Sequence, residues 1–335
     1  RRRAATVSPD GKRAEAWLWG SDGTDRASDV LPWRDGIALI GESEQPELDS
    51  QAVVVAFRPG DAVPSYERRT GGADKDSATA AAAWSGGMVI AGTTTSGGFP
   101  LPDDGPAPGG DGWIEVLDHD GRQLGATRVG GAGPDRLIDI DVRGDHLAVA
   151  LETRSPNLAV SANAHLTGPS GATDGYVVMF TLPRLDLVGG SYLGGTGYDK
   201  IAAVVVGSEG GRSAADRVTL VGGTSSPDFP RVGEDPERPI DAGGTDAFIA
   251  RLTLDGGLTY SRTFGGRGSD TAAAADQLVD GRMSFAGDTT SERIAGHSLG
   301  PADRSFVATV SVPTAPPTAP VRPTVVLVHG WQGMG

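Results

Sequence analysis

Gly194-Gly195-Thr196-Gly197-Tyr198-Asp199, then Leu220-Val221-Gly222-Gly223-Thr224-Ser225-Ser226-Pro227-Asp228-Phe229-Pro230, then Asp246-Ala247-Phe248-Ile249-Ala250: this stretch decides the fold, because the rest of the chain repeats it. The opening element, a Gly followed five positions later by Asp, recurs as Gly20 to Asp25, Gly71 to Asp76, Gly130 to Asp135, Gly194 to Asp199 and Gly265 to Asp270. Self-similarity at such an interval is the mark of repeat architectures.

A second element follows each copy, a short apolar strand that closes on small residues and then Thr or Ser. It reads Val89-Ile90-Ala91-Gly92-Thr93 and Phe285-Ala286-Gly287-Asp288-Thr289, with reduced copies at Ala38-Leu39-Ile40-Gly41 and Ala148-Val149-Ala150-Leu151. A third is an aromatic-bearing strand opened by Asp, as in Asp111-Gly112-Trp113-Ile114 and Asp174-Gly175-Tyr176-Val177. Ser305-Phe306-Val307 and Gln51 to Phe57 are further copies. A tight turn then leads to a fourth strand, as in Leu254-Asp255-Gly256-Gly257-Leu258, and Asp-Gly or Gly-Gly between alternating runs is a hairpin signal. Four short antiparallel strands per repeat predict an all-β chain, a β-propeller of four-stranded blades.

The pattern resembles the bacterial β-propeller repeat family SBBP, whose repeat runs GGxGxD, a strand, aGxTxSxdFP, a loop, DaFvakl and a closing strand. Residues 194–264 carry the fullest copy, and Thr95-Ser96 and Phe99-Pro100 keep the same motif in residues 71–129. The resemblance spans roughly residues 1–313 and implies a propeller in a secreted or cell-envelope protein, with no catalytic residues of its own.

The repeats predicted are about 20–70, 71–129, 130–193, 194–264 and 265–312, within a propeller domain over 1–312. Ala4 to Val7 and Ala14 to Trp19 read as third and fourth strands of a blade, while Pro-rich sequence stands where the last repeat needs its fourth strand. Residues 1–19 are therefore expected to supply that closing strand, giving five blades. A six-blade parent cut at its first half is the rival. Either solution removes an unpaired strand edge.

Composition excludes several classes. The net charge is −14 and only three lysines are present, so no basic stripe exists for nucleic acid. There is no cysteine, hence neither disulfide nor thiolate metal site. No apolar run reaches the ~18 residues that suggest a membrane span. The chain opens Arg1-Arg2-Arg3 without Met and stops at Gly335 inside a motif, so both ends read as cut and any signal peptide is expected upstream.

Candidate sites follow from the repeat. The longest inserts, residues 97–110, 156–173, 227–245 and 292–302, join second strands to third. They are expected to share one face with the Gly-to-Asp turns, as the surface for a protein, glycan or ester partner. Asp25, Asp76, Asp135, Asp199 and Asp270 each precede a first strand. Two readings stand: a cation or amine site at the channel mouth, or five Asx-type turns in which each Asp accepts amide hydrogens of its own loop. Calcium is the one cofactor left open. Asp118-His119-Asp120-Gly121 lacks the later acidic ligands of a calcium loop and reads as a hairpin turn. The five histidines, His119, His146, His165, His297 and His329, have no zinc spacing.

Gly296-His297-Ser298-Leu299-Gly300 matches the GxSxG nucleophile elbow. That motif works only between a buried strand and a helix, and neither flank here has that character, so Ser298 reads as a decoy. The C-terminus differs. After a Pro/Thr/Ala linker over 313–324, Val325-Val326-Leu327-Val328 runs into His329-Gly330-Trp331-Gln332. This resembles the first core strand and oxyanion loop of α/β-hydrolases of the lipase and esterase kind. It implies a hydrolase domain starting at 325–335 whose nucleophile, acid and catalytic His lie beyond Gly335. The alternative is an apolar tail paired onto the propeller edge. The function expected is a non-catalytic binding or scaffold propeller ahead of a hydrolase. A purely structural or adhesive repeat domain is the rival, and an esterase using Ser298 a third reading.

Overall fold

The computed structural model describes residues 2–7, 14–45, 48–61, 63–100, 107, 109–208, 216–233, 244–294, 297–298, 305–312 and 324–328. Among these there is no helix, and the strands form repeated antiparallel sheets of three or four, an all-β, propeller-like fold. No helix among the described residues is long and apolar enough to cross a membrane. The chain divides into two compact units, Arg1–Asp145 with Thr181–Asp186, and His146–Phe180 with Leu187–Gly335.

In the first unit, β1 (Arg2–Val7) and β2 (Ala14–Trp19) form a two-stranded antiparallel sheet. The first repeat supplies β3 (Asp25–Trp33), β4 (Gly36–Gln45), β5 (Leu48–Phe57) and β6 (Tyr66–Thr70), paired in chain order. The second supplies β7 (Asp76–Trp84), β8 (Gly87–Thr94), β9 (Asp111–Asp118) and β10 (Gln123–Val129), again in order. The third repeat opens here with β11 (Asp135–Arg143).

The second unit holds β12 (His146–Thr153), β13 (Asp174–Thr181) and β14 (Asp186–Leu193) side by side. The fourth repeat gives β15 (Asp199–Ser208), β16 (Asp216–Thr224), β17 (Asp246–Thr253) and β18 (Leu258–Phe264). The last sheet takes β19 (Asp270–Gln277), β20 (Met283–Thr289), β23 (Ser305–Val310) and β24 (Thr324–Val328). The short hairpin β21 (Arg293–Ile294) and β22 (His297–Ser298) sits between its second and third strands.

Two sequence expectations change at the termini. Ala14–Trp19 pairs with Arg2–Val7, as expected of the third and fourth strands of one blade, but it is not a strand of the last sheet. The fourth position belongs to Thr324–Val328, antiparallel to Ser305–Val310 with Val326 opposite Val307. Both segments are short and apolar, so either satisfies the pairing chemistry, and the apolar run 325–328 has the place of an edge-pairing tail. Residues 313–323 and 329–335 lie outside the described residues.

The cores lie between successive sheets of each unit. Trp113 of β9, buried with Ala78, Met88 and Ile90, packs with Leu31, Ile40 and Val54 of the first repeat. Val177 and Met179 of β13 meet Ile201, Leu220 and Phe248, and Phe264 with Val221 and Ile249 meets Phe285 and Phe306. Burying each such side chain contributes about 1.5–3 kcal/mol.

The small residue of the second element has a specific cause. In four repeats the first strand carries one extra residue, Ser28, Thr79, Ala202 or Ala273, where the register with the second strand slips. Such a bulge bends the first strand and increases its local twist. Opposite stand Gly41, Gly92, Gly222 and Gly287. A Cβ on Gly222 would lie 1.9 Å from the Lys200 carbonyl oxygen, and one on Gly92 1.7 Å from that of Ser77. The third-strand aromatic then covers the gap, Trp113 facing Gly92, Phe248 facing Gly222 and Phe306 facing Gly287.

Candidate functional site

The Gly-to-Asp turns and the Thr-x-Ser ends of the second strands are two halves of one structure. In the fourth repeat Asp199 Oδ2 accepts the Gly195 amide at 2.8 Å and the Ser226 hydroxyl at 2.6 Å. The same hydroxyl accepts the Gly197 amide at 2.8 Å, and Ser226 N–H donates to Thr224 Oγ1 at 3.0 Å. The second repeat repeats this with Asp76, Gly72, Ser96, Asp74 and Thr94, and the fifth with Asp270, Gly266, Ser291, Gly268 and Thr289. In the third, Asp135 accepts Gly131 N–H and Ser155 donates to Thr153. The first repeat lacks the glycine pair, and Ser21 and Ser43 supply the donors to Asp25.

The GGxGxD spacing follows from this packing. A Cβ on Gly195 would strike Ser226 Cβ at 2.7 Å, and one on Gly197 the Ser225 carbonyl carbon at 2.8 Å. In the third, fourth and fifth turns the first Gly faces the Asp that opens the preceding third strand. A Cβ on Gly194 would be 2.4 Å from Asp174 Oδ1, one on Gly130 2.2 Å from Asp111 Cγ and one on Gly265 1.7 Å from Asp246 Oδ1.

All five turn aspartates are buried, Asp25, Asp76, Asp135, Asp199 and Asp270 being 3% exposed or less. Oδ2 of each accepts a backbone amide of its own turn, from Ser21, Gly72, Gly131, Gly195 and Gly266 in chain order. Their electrostatics differ. Burial raises the Asp76 carboxyl above its ordinary value, only partly offset by its hydrogen bonds. For Asp25, burial also pushes upward, but the Ser43 hydroxyl and the Ser21 amide and hydroxyl outweigh it, leaving a net depression. Between the fixed points stand exposed residues that change from turn to turn: Asp74 and Lys75, Ala132 and Pro134, Thr196 and Tyr198, Arg267 and Ser269.

The ends of the long inserts stand beside the turns, as expected: Asp199 N–H donates to the Thr173 carbonyl at 3.0 Å, Asp135 N–H to that of Gly110 at 2.8 Å and Asp270 N–H to that of Thr245 at 2.6 Å, while Asp228 accepts the Thr196 amide at 2.8 Å. The middle of residues 156–173 takes a course that was not expected and folds back along β14, the edge strand of its sheet. Leu166 bridges Tyr192, Leu158 N–H donates to the Tyr192 hydroxyl at 2.9 Å and Tyr176 donates to the Ala159 carbonyl. The loop continues to the hairpin of the fourth repeat, where Asn163 donates to Asp255 at 2.7 Å and His165 N–H to the Gly256 carbonyl at 3.1 Å. In the fourth repeat Val232 bridges Ser261 of β18. In the second, Arg128 of β10 donates to the carbonyls of Ser96 and Phe99. The inserts thus cover exposed sheet edges, a protection natural sheets need. Phe99 meets Trp113 edge-on with ring centroids 5.2 Å apart, and Phe229 lies tilted against Phe248 at 4.7 Å, anchoring the FP motifs.

The other candidates fall as follows. Asp118 Oδ1 accepts the amides of Asp120 and Arg122, so residues 118–121 form the β9–β10 hairpin turn. Ser298 pairs in a two-residue strand with Arg293, in the insert between β20 and β23, without an elbow's preceding core strand. His146 meets Asp216 at 2.8 Å. Among the described residues no three His, Asp or Glu side chains gather as a metal site. His329, Gly330, Trp331 and Gln332 lie outside the described residues. The Thr-x-Ser serines were not singled out from sequence as partners of the turn aspartates, although their fixed place after the second strand is the signal. Comparison with known protein families and with curated proteins finds no match for the chain.

Proposed function

We propose that this chain is a non-catalytic binding or scaffold domain of SBBP-like propeller repeats, belonging to a secreted or cell-envelope protein. The observation that carries the reading is the contrast within each turn. A buried Asp and Ser frame recurs with the same donors, while the exposed positions it holds, such as Asp74, Lys75, Pro134, Thr196, Tyr198 and Arg267, vary in charge and size. A rigid scaffold presenting variable loop residues is a common design for recognition. The partner class remains a protein or a glycan, with an ester substrate for the case of a linked enzyme.

A second reading is favoured by one sequence feature, the apolar run into His329-Gly330 after Pro-rich residues 313–323: the propeller precedes a lipase- or esterase-like α/β-hydrolase. Its use of Thr324–Val328 competes with the pairing of that run to Ser305–Val310. Fluorophosphonate labelling separates the readings. The chain itself is expected to stay unlabelled, and the longer product of its gene to label only if a hydrolase follows. Labelling of the chain that Ser298→Ala abolishes would overturn the non-catalytic reading.

A further inference from the structure

We propose that β1 and β2 are the outer half of a further blade, and that its inner half is a β-hairpin supplied by another repeat of this kind. The register carries the first part. Arg2 stands opposite Trp19, the residue before Gly20. Ala52 stands opposite Thr70 before Gly71, Gly112 opposite Val129 before Gly130, and Ala247 opposite Phe264 before Gly265. β1 and β2 thus repeat the pairing of a third strand with a fourth, residue for residue. Every other third strand among the described residues has a second strand on its inner edge, and β1 has none there. Such an edge offers main-chain hydrogen bonds to an added strand.

The face of the first repeat carries the same gap. Its outer part is covered: Val53, Val55 and Phe57 of β5 are at most 3% exposed and pack with Trp19 of β2. Its inner part is not. Four and six residues before the Thr of the Thr-x-Ser motif, the other repeats bury Ile90 and Met88, Val149 and Leu147, Leu220 and Val218, and Phe285 and Met283, all at most 1% exposed. The first repeat, counted from Ser43, has Leu39 and Ile37 in these places, and both are only partly buried. Val30, opposite Leu39 and so on the same face, is 54% exposed, whereas Val204, opposite Leu220 in the fourth repeat, is 3% exposed. Where the covered and uncovered parts meet lies a cleft with about 240 Å³ of empty space, lined by Trp19, Arg26, Leu39, Ile40, Val53 and Val55.

The next joint shows what fits. There the first and second strands of the first repeat, β3 and β4, set Leu31, Trp33, Ala38 and Ile40 against Met88 and Ile90 of the second. A hairpin with apolar side chains in those places pairs with β1 and covers Val30, Ile37 and Leu39. A second copy of the chain has none to lend, since each of its described first and second strands is already paired within its own sheet. Filling the half-blade completes the array whatever the turns recognise.

The chain is compared with a version carrying residues 71–110, the inner half and loop of the second repeat, ahead of Arg1. The longer version is expected to stay monomeric in sedimentation, to melt at least about 3 °C higher and to slow amide exchange in β1 at least about tenfold. Val30→Asp removes these gains, whereas Val279→Asp, at a fully exposed valine elsewhere, keeps them. If the joined version does not fold, a synthetic peptide of residues 71–96 added to the chain is followed by the same exchange measurement. Unchanged exchange in β1, or an equal gain from residues 71–110 in scrambled order, overturns the proposal. So does an unextended chain that dimerises with Val30 protected, because a second copy then covers the face.

Discussion

Ser291 donates its hydroxyl hydrogen to Asp270 Oδ2 at 2.7 Å, while the same hydroxyl accepts the Gly268 amide at 2.9 Å. One serine thereby ties the end of a second strand to the turn that opens the first. Repeated along the chain, this tie accounts for the co-occurrence of GGxGxD and Thr-x-Ser, two motifs separated by a whole hairpin.

The frame and the exposed positions are predicted to respond differently to substitution. Lys75 and Asp76 are neighbours, one exposed and one 1% exposed. Lys75→Ala is expected to change stability by no more than about 0.5 kcal/mol. Asp76→Ala leaves the Gly72 amide and the Ser96 hydroxyl without their acceptor and is expected to cost about 2–4 kcal/mol. Urea denaturation of the two variants checks the contrast; equal effects would contradict it.

The fold was legible because its turns are written in glycine and aspartate at fixed spacing, which few structures other than repeated tight turns require. The bulges were not, since Ser28, Thr79, Ala202 and Ala273 carry no common chemistry. Their trace is the glycine opposite, readable only once the pairing is known. The path of residues 156–173 was hidden for a related reason: Leu166 meets Tyr192 through backbone bonds that no side chain encodes. The closing strand was ambiguous because Ala14–Trp19 and Thr324–Val328 are both short and apolar, and main-chain pairing does not distinguish them. At the candidate site the five turn aspartates were found from spacing, but the link from each to its serine required the two strands to be placed side by side.

Gly222→Val tests the bulge. The first added carbon meets the Lys200 carbonyl oxygen at 1.9 Å and the Phe248 ring at 2.9 Å, so β15 and β16 must separate. A loss of more than about 3 kcal/mol is expected, at the severe end of overpacking. Valine at Gly281, whose Cβ position meets nothing within 4 Å, suffers only from its positive φ of 84° and should cost less. Thermal melts rank the two, and the reverse order would refute the steric account.

Acid dependence carries opposite signs at two equivalent aspartates. Asp76, raised by burial, binds a proton more tightly in the folded chain than in the unfolded one. Stability therefore rises as pH falls through its raised value toward 3.8. Asp25, where hydrogen bonds overcome burial, is depressed; its contribution is complete above 3.8 and lost as pH falls through the lowered value. Denaturation measured against pH should show the wild-type advantage over Asp25→Asn shrinking below that point. The difference from Asp76→Asn should move in the wild type's favour above it. Parallel pH profiles for the two variants would refute the assignment.

The central claim is that the turn aspartates are framework, with one carboxylate oxygen of each committed to an amide of its own turn. A double-mutant cycle on Asp270 and Ser291, using Asp270→Asn and Ser291→Ala in urea denaturation, tests it most directly. The account predicts a coupling of about 1–3 kcal/mol between the two residues. Additive effects near zero would mean that Asp270 is not held by Ser291 and is available to a ligand, which would contradict the framework reading.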